Sequence, residues 1–168
     1  MLILKSLPKN PDRFLKLIKF TGEILQISHK LDIEPVLTGS LAVFAYTQDK
    51  NIQVNDIDLS CKESDFPKII KYLQNLCIDY KLKEWHVLQI IRDDLKVDFD
   101  SLEYWMSDMP ENHEILDTGF FRIKMVCFDY LKQLYRRGLD DTAQTRDPIS
   151  KMKHEIIRQK YEALERGH

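Results

Sequence analysis

Apolar residues at positions 14, 17, 18, 24, 25, 27 and 31 keep a roughly helical period, which predicts a helix over the stretch ending at Leu31. Asn10-Pro11-Asp12 supplies its start, with Asn10 as cap and Pro11 at the first helical position, where a missing N–H costs nothing. Pro35 resets the chain, and Val36-Leu37-Thr38 reads as a short strand. Gly39-Ser40 opens a second apolar helix over Leu41 to Tyr46. After a polar loop, Ile57 to Cys61 alternates with period two, as a half-buried strand does.

Ser64 to Cys77 is expected to be helical, with Ile69, Ile70, Leu73 and Leu76 on one face. Three strand-like runs follow (Tyr80 to Trp85, Val87 to Ile91, Leu95 to Phe99), the last two separated by the turn Arg92-Asp93-Asp94. Residues 108–118 read as polar loop and Phe120 to Val126 as a strand. From Phe128 the pattern is helical to about Arg137, breaks at Gly138 to Asp141, and resumes from Asp147 to Arg166 with Pro148 in the first turn. Ile149, Met152, Ile156 and Leu164 form the expected inward face of that last helix. This order predicts an α+β fold: a mixed β-sheet flanked by helices over residues 1–127, with a C-terminal helical segment over 128–168 packed on it.

The 168 residues are 43% hydrophobic and 31% charged, a globular composition long enough to bury a core without disulfides. No apolar run approaches the ~20 residues of a membrane span, and Lys5 interrupts the short run at the N-terminus, so neither secretion nor insertion is expected. Cys61, Cys77 and Cys127 lack the C-x-x-C spacing of a metal site, and buried free thiols in a reducing cytoplasm are expected. The net charge of −2 hides an asymmetry: residues 1–121 carry −6 and residues 122–168 carry +4. An acidic body with a basic tail can bind a metal at one end and phosphate near the other, or can simply present two solvated faces.

Three motifs bear on chemistry. Gly39-Ser40 lies between a strand and a helix, where glycine admits close backbone approach and the first helical amides attract anions. Asp56-Ile57-Asp58-Leu59 would set two carboxylates on one strand face, a pair that repels unless protonated or bridged by a cation. Lys96-Val97-Asp98-Phe99-Asp100 offers a third carboxylate from a second strand, Asp98 or Asp100. Hard oxygen ligands of this kind suit Mg²⁺. Each motif taken alone is equally an ordinary turn or a polar strand face.

In this order the motifs resemble those of the DNA polymerase β-like nucleotidyltransferase superfamily, in particular its small minimal, lincosamide-modifying and AbiEii-type members. The likeness spans residues 36–100 strongly and the C-terminal helices weakly, through Thr145-Arg146-Asp147 before the last helix. Many relatives carry Arg followed by Ser or Thr just before the Asp pair, where this chain has Gln53-Val54-Asn55. The resemblance implies transfer of a nucleoside monophosphate from an NTP such as ATP to an acceptor hydroxyl, in a small molecule, a protein or RNA. It implies that Gly39 and Ser40 hold phosphate, and that Asp56, Asp58 and Asp98 bind two Mg²⁺ ions and act in catalysis, with Asp100 as substitute for Asp98. Arg136, Arg137, Arg146, Lys151 and Lys153 could reach the triphosphate or the acceptor, and Trp85, Tyr104 and Trp105 could stack on a base or line an acceptor pocket. Two other readings stay open on the same residues: a non-catalytic nucleotide-binding regulatory or toxin–antitoxin module, and a metal-dependent nuclease.

Overall fold

A computed structural model describes residues 1–144 and 146–167, so Thr145 of the Thr145-Arg146-Asp147 stretch lies outside the described residues. Eight strands form one mixed sheet: β1 (Leu2–Ile3), β2 (Val36–Thr38), β3 (Ile57–Cys61), β4 (Asp79–Lys83), β5 (Val87–Arg92), β6 (Leu95–Ser101), β7 (His113–Asp117) and β8 (Arg122–Val126). Their spatial order is β1-β7-β8-β2-β3-β6-β5-β4. The helices are α1 (Pro11–Lys30), α2 (Gly39–Thr47), α3 (Phe66–Asn75), the short α4 (Leu102–Trp105), α5 (Phe128–Thr142) and α6 (Pro148–Arg166). This is the mixed, helix-flanked sheet that the hydrophobic pattern predicts. Among the described residues no helix is long and apolar enough to cross a membrane.

The centre of the sheet is apolar because it is covered. All three residues of β2 are buried, as are Ile57 and Leu59 of β3 and Val97 and Phe99 of β6. The 20-residue α1 contributes Phe14, Leu17, Ile18, Phe20 and Ile24 to the same core. Asn10 adopts a left-handed backbone ahead of α1 and its side chain caps nothing, so Pro11 alone marks the start. Helix α2 is buried along its run from Ser40 to Ala45, because α5 and α6 as well as β2 and β3 pack against it.

Several elements depart from the sequence pattern. The stretch read as a polar loop contains β7, which pairs antiparallel with β8 and parallel with β1. The helix expected from Ser64 begins at Phe66, after a 3₁₀ turn over Glu63–Asp65, and its expected inward Leu76 is 52% exposed. Helix α5 runs unbroken through Gly138 to Thr142. A helical glycine costs about 1 kcal/mol relative to alanine. Contact with α6 outweighs that cost here: Ile157 packs over Gly138, and the Thr142 hydroxyl bridges the Gly138 carbonyl and His154 Nδ1.

Helix α6 buries its apolar side chains most fully toward its C-terminal end. Ala163 and Leu164 are fully buried, whereas Ile149, Met152 and Ile156, expected inward, are 63%, 59% and 44% exposed. Asp147 caps this helix by accepting from the Ser150 amide. Of the three free cysteines, Cys61 is buried as expected, but Cys77 is exposed. Helix α5 is fixed at its outer end by Asp108, which accepts from the Tyr130 hydroxyl at 2.7 Å and from the Arg137 guanidinium. Those two donors hold the Asp108 carboxyl down at about 2.

Candidate active site

Strand register brings the carboxylates together. β2 runs antiparallel to β3 with Thr38 opposite Asp58, and β3 runs parallel to β6 with Asp58 opposite Asp98. Asp56 stands one residue before β3. One carboxylate oxygen from each of Asp56, Asp58 and Asp98 lies within 4.8 Å of the others. Asp100 is one pleat further along β6, opposite Ser60, and is not in that triad. On the next strand Gln89 faces Asp98 and donates to its Oδ1 at 2.9 Å.

The end of β2 explains the glycine. Gly39 has a φ of +67°, a left-handed conformation that L side chains rarely adopt, and an added Cβ would fall 1.8 Å from Asp58 Oδ2. The backbone thus passes directly over the Asp58 carboxylate. Ser40 is the next residue, in the first turn of α2, where no acidic side chain competes for the free amides. Thr38, in extended conformation, is the residue that precedes the helix. The Ser40 hydroxyl accepts from Lys160 Nζ at 2.6 Å, and the partly buried Tyr135 stands beside it.

Crowding of like charge shapes the titration of this cluster. Burial, then the charges of Asp56, Asp100 and Asp98, push Asp58 well above the usual carboxylate range, and Lys160 pulls it partly back. Burial also raises Asp98, against the hydrogen bond from Gln89. Burial and the neighbouring Asp98 and Asp56 lift Asp100 to about 7. Burial lowers Lys160, while Asp58 and Asp56 act in the opposite direction. Three oxygen donors gathered this closely are the donor set a hard divalent cation requires.

Two unlike cavities meet at the cluster. One, of ≈ 340 Å³, is polar and is lined by Lys9, Ser40, Gln53, Asn55, Asp56 and Lys160 among others. The other, of ≈ 450 Å³, has Gly39, Asp58, Asp98 and Asp100 at its polar end and apolar side chains over the rest. The basic residues expected to serve the site do not line either cavity: Arg137 is engaged with Asp108, and Arg136, Arg146, Lys151 and Lys153 are exposed elsewhere. Lys160 and Tyr135 take that place, neither of them marked by a motif. Their only trace in the sequence is position, since Tyr135 and Lys160 fall on helices that must cover α2.

Replacing Lys160 by Met keeps the stem and removes the ammonium. For the triphosphate that the sequence resemblance implies as ligand, binding would then weaken about tenfold or more, the effect of one lost charge-assisted contact of ~1.5–3 kcal/mol. Calorimetric titration of a nucleotide into both proteins measures it, and equal affinities would remove Lys160 from the site.

Neither protein-family profiles nor characterised protein sequences match this chain. Solved structures do. The antibiotic-resistance factor ANT(2'')-Ia superposes with a TM-score of 0.60 at 12% identity, covering 90% of this chain and 89% of its own. An antigenic nucleotidyltransferase-like protein from Paracoccidioides brasiliensis gives 0.60 at 13% identity, over 94% of this chain and 77% of that one. A lincomycin-bound lincosamide antibiotic adenylyltransferase gives 0.52 at 10% identity, over 91% and 98%. The chain has the nucleotidyltransferase fold, in a form shared with a lincosamide-modifying enzyme.

Proposed function

We propose that the protein is a metal-dependent nucleotidyltransferase, moving a nucleoside monophosphate from an NTP to an acceptor hydroxyl. The observation that carries this reading is the carboxylate triad standing where a polar cavity and an apolar cavity meet. A triphosphate fits the polar side, where Lys160, Lys9, the Ser40 hydroxyl and the first amides of α2 all present positive charge or donors. Asp56, Asp58 and Asp98 would hold two Mg²⁺ ions, and Asp56 is the member that borders the donor cavity. Ions held there would offset the charge of the transferring phosphoryl group and favour ionisation of the attacking hydroxyl.

The chain's own groups account for the remainder. Asp98 faces the acceptor cavity with its Oδ1 fixed by Gln89, so it suits the role of proton acceptor. The acceptor oxygen forms a bond to the α-phosphorus and its proton passes to Asp98. The bond from that phosphorus to the β-phosphate oxygen breaks, and pyrophosphate leaves toward Lys160 and Ser40. Tyr135 stands beside Ser40 and, with its ionisation suppressed by burial and by Asp58 and Asp56, stays neutral. The free thiols fit work in the cytoplasm.

Calorimetric titration of non-hydrolysable NTPs, with and without Mg²⁺, tests the reading in wild type and Asp56→Asn. Mg²⁺-dependent binding that falls at least a hundredfold in the variant is the expected result. Absence of binding by wild type for every NTP would overturn the donor-site assignment, and release of nucleotides from RNA or DNA without any NTP would favour a nuclease.

A further inference from the structure

The apolar cavity has a composition specific enough to define the acceptor. We infer that it takes a small alcohol with a flat, apolar, ring-bearing body, neutral or cationic, and that it rejects polynucleotide ends and other anions. This rests on the nucleotidyl transfer proposed above and adds the class of acceptor. Its walls are Trp85, Trp105, Met106, Leu131, Leu134 and Ile157, and its polar end carries Asp58, Asp98 and Asp100. Among the described residues no lysine, arginine or histidine lines it. At ≈ 450 Å³ it lies in the range of single small-molecule sites.

The two tryptophans carry the argument. Trp85 is 54% and Trp105 46% exposed, an exposure that a rigid apolar surface keeps when it is there to be covered. The Trp105 ring is held in place without being packed away, and Lys83 Nζ lies 5.2 Å from the centre of the Trp85 ring. Trp105 Nε1 donates to the Trp85 carbonyl at 2.9 Å, and the Trp105 ring meets Tyr104 edge-on at 5.0 Å. Tyr104 in turn stacks on His86 at 4.1 Å. Behind that layer Glu63 joins the parts: its Oε1 lies 2.8 Å from His86 Nδ1, and its Oε2 accepts from the Ser101 hydroxyl at 2.7 Å. Ser101 accepts from the Tyr104 amide, which fixes the start of α4.

A polar brace therefore orients an aromatic wall, the arrangement of a preorganised ring-binding surface. Electrostatics sets the charge limit. With Asp58 and Asp98 engaged by the ions proposed above, none of the described residues lining this cavity is a basic side chain that could hold a phosphate or carboxylate, and nucleic acid binding draws on such groups.

The chain has two tryptophans and both line the cavity, so fluorine NMR of fluorotryptophan-labelled full-length protein reports its occupancy directly. The probes are naphthaleneethanol, naphthaleneethylamine, naphthaleneacetate and a short oligoadenylate. Saturable shifts of both resonances by the alcohol and the amine are expected, with the acetate and the oligoadenylate at least tenfold weaker. Leu134→Arg should abolish the shifts while Mg²⁺-dependent nucleotide binding, measured by calorimetry, stays as in wild type. Failure of the alcohol and the amine to bind a protein that does bind nucleotide overturns this inference alone, as does tighter binding of the acetate or the RNA. Loss of nucleotide binding in wild type overturns instead the transferase reading on which it rests.

Discussion

In metal-free buffer Asp58→Asn is expected to melt higher than wild type, while losing all response to Mg²⁺ and nucleotide. Asp58 is surrounded by Asp56, Asp98 and Asp100, and its charged form is disfavoured by burial and by all three. An amide of the same shape removes the repulsion and can donate to the neighbouring carboxylates. The gain is on the order of 1 kcal/mol, about 2–4 °C for a chain of this length. Wild type in saturating Mg²⁺ and non-hydrolysable NTP should rise by roughly 5–10 °C, since a ligand at about a hundred times its Kd adds ~2.7 kcal/mol.

The variant should show none of that rise, and nucleotidyl transfer should fall about a thousandfold or more, ~4 kcal/mol of transition-state stabilisation. Differential scanning fluorimetry, with chelator and then with Mg²⁺ and nucleotide, measures both halves. A variant that melts lower without metal, or that keeps the ligand-induced rise, would mean that the cluster is not a site held open against its own repulsion.

The same crowding sets a pH dependence. Asp100 is raised to about 7 in the folded chain, above its unfolded value, so the native state binds its proton more readily. Stability of the metal-free protein should therefore increase as pH falls from 8 toward 5 and be lowest on the alkaline side.

What was legible in the sequence divides along the range of the interactions involved. The Gly39-Ser40 turn and the Asp56/Asp58 pair are contiguous, and strand periodicity alone puts Ile57 and Leu59 into the core and both carboxylates out of it. The choice between Asp98 and Asp100 depends on the parallel register of β3 on β6, which sets Asp98 opposite Asp58. Alternation places both carboxylates on one face and cannot say which is level with the pair. Lys160 lies 120 residues from the Ser40 hydroxyl it donates to. No local spacing encodes that contact, and the more conspicuous basic residues of the tail drew the assignment instead.

The strands β1 and β7 were hidden for a related reason. Leu2–Ile3 and His113–Asp117 are too short or too polar to show alternation, and each exists through its pairing with a distant partner. The exposed stripe Ile149, Met152 and Ile156 shows the converse. A regular apolar period marks a helix face that can be buried, while the extent of burial is set by where the opposing surface ends.

Gly39→Ala should be the most damaging single substitution among those that leave every charge in place. The alanine Cβ would lie 1.8 Å from Asp58 Oδ2, 2.6 Å from its Cγ and 2.8 Å from its Cβ, on a backbone at φ +67°. Left-handed backbone costs a non-glycine residue about 1–2 kcal/mol, and displacing a packed side chain about 1–3 kcal/mol more. The melting temperature should fall by roughly 5–15 °C. Mg²⁺-dependent nucleotide binding should be lost with it, since Asp58 must leave the triad to make room.

The two costs separate in a double-mutant cycle. With Asp58→Gly the obstructing side chain is gone, and Gly39→Ala in that background should cost only the backbone share, about 1–2 kcal/mol. Equal costs in both backgrounds would show that the glycine serves the turn and not the carboxylate beneath it. A coupling of ~1–3 kcal/mol would tie Gly39 to Asp58 as one unit, in which the left-handed turn can exist only by letting its backbone lie against the carboxylate of the triad.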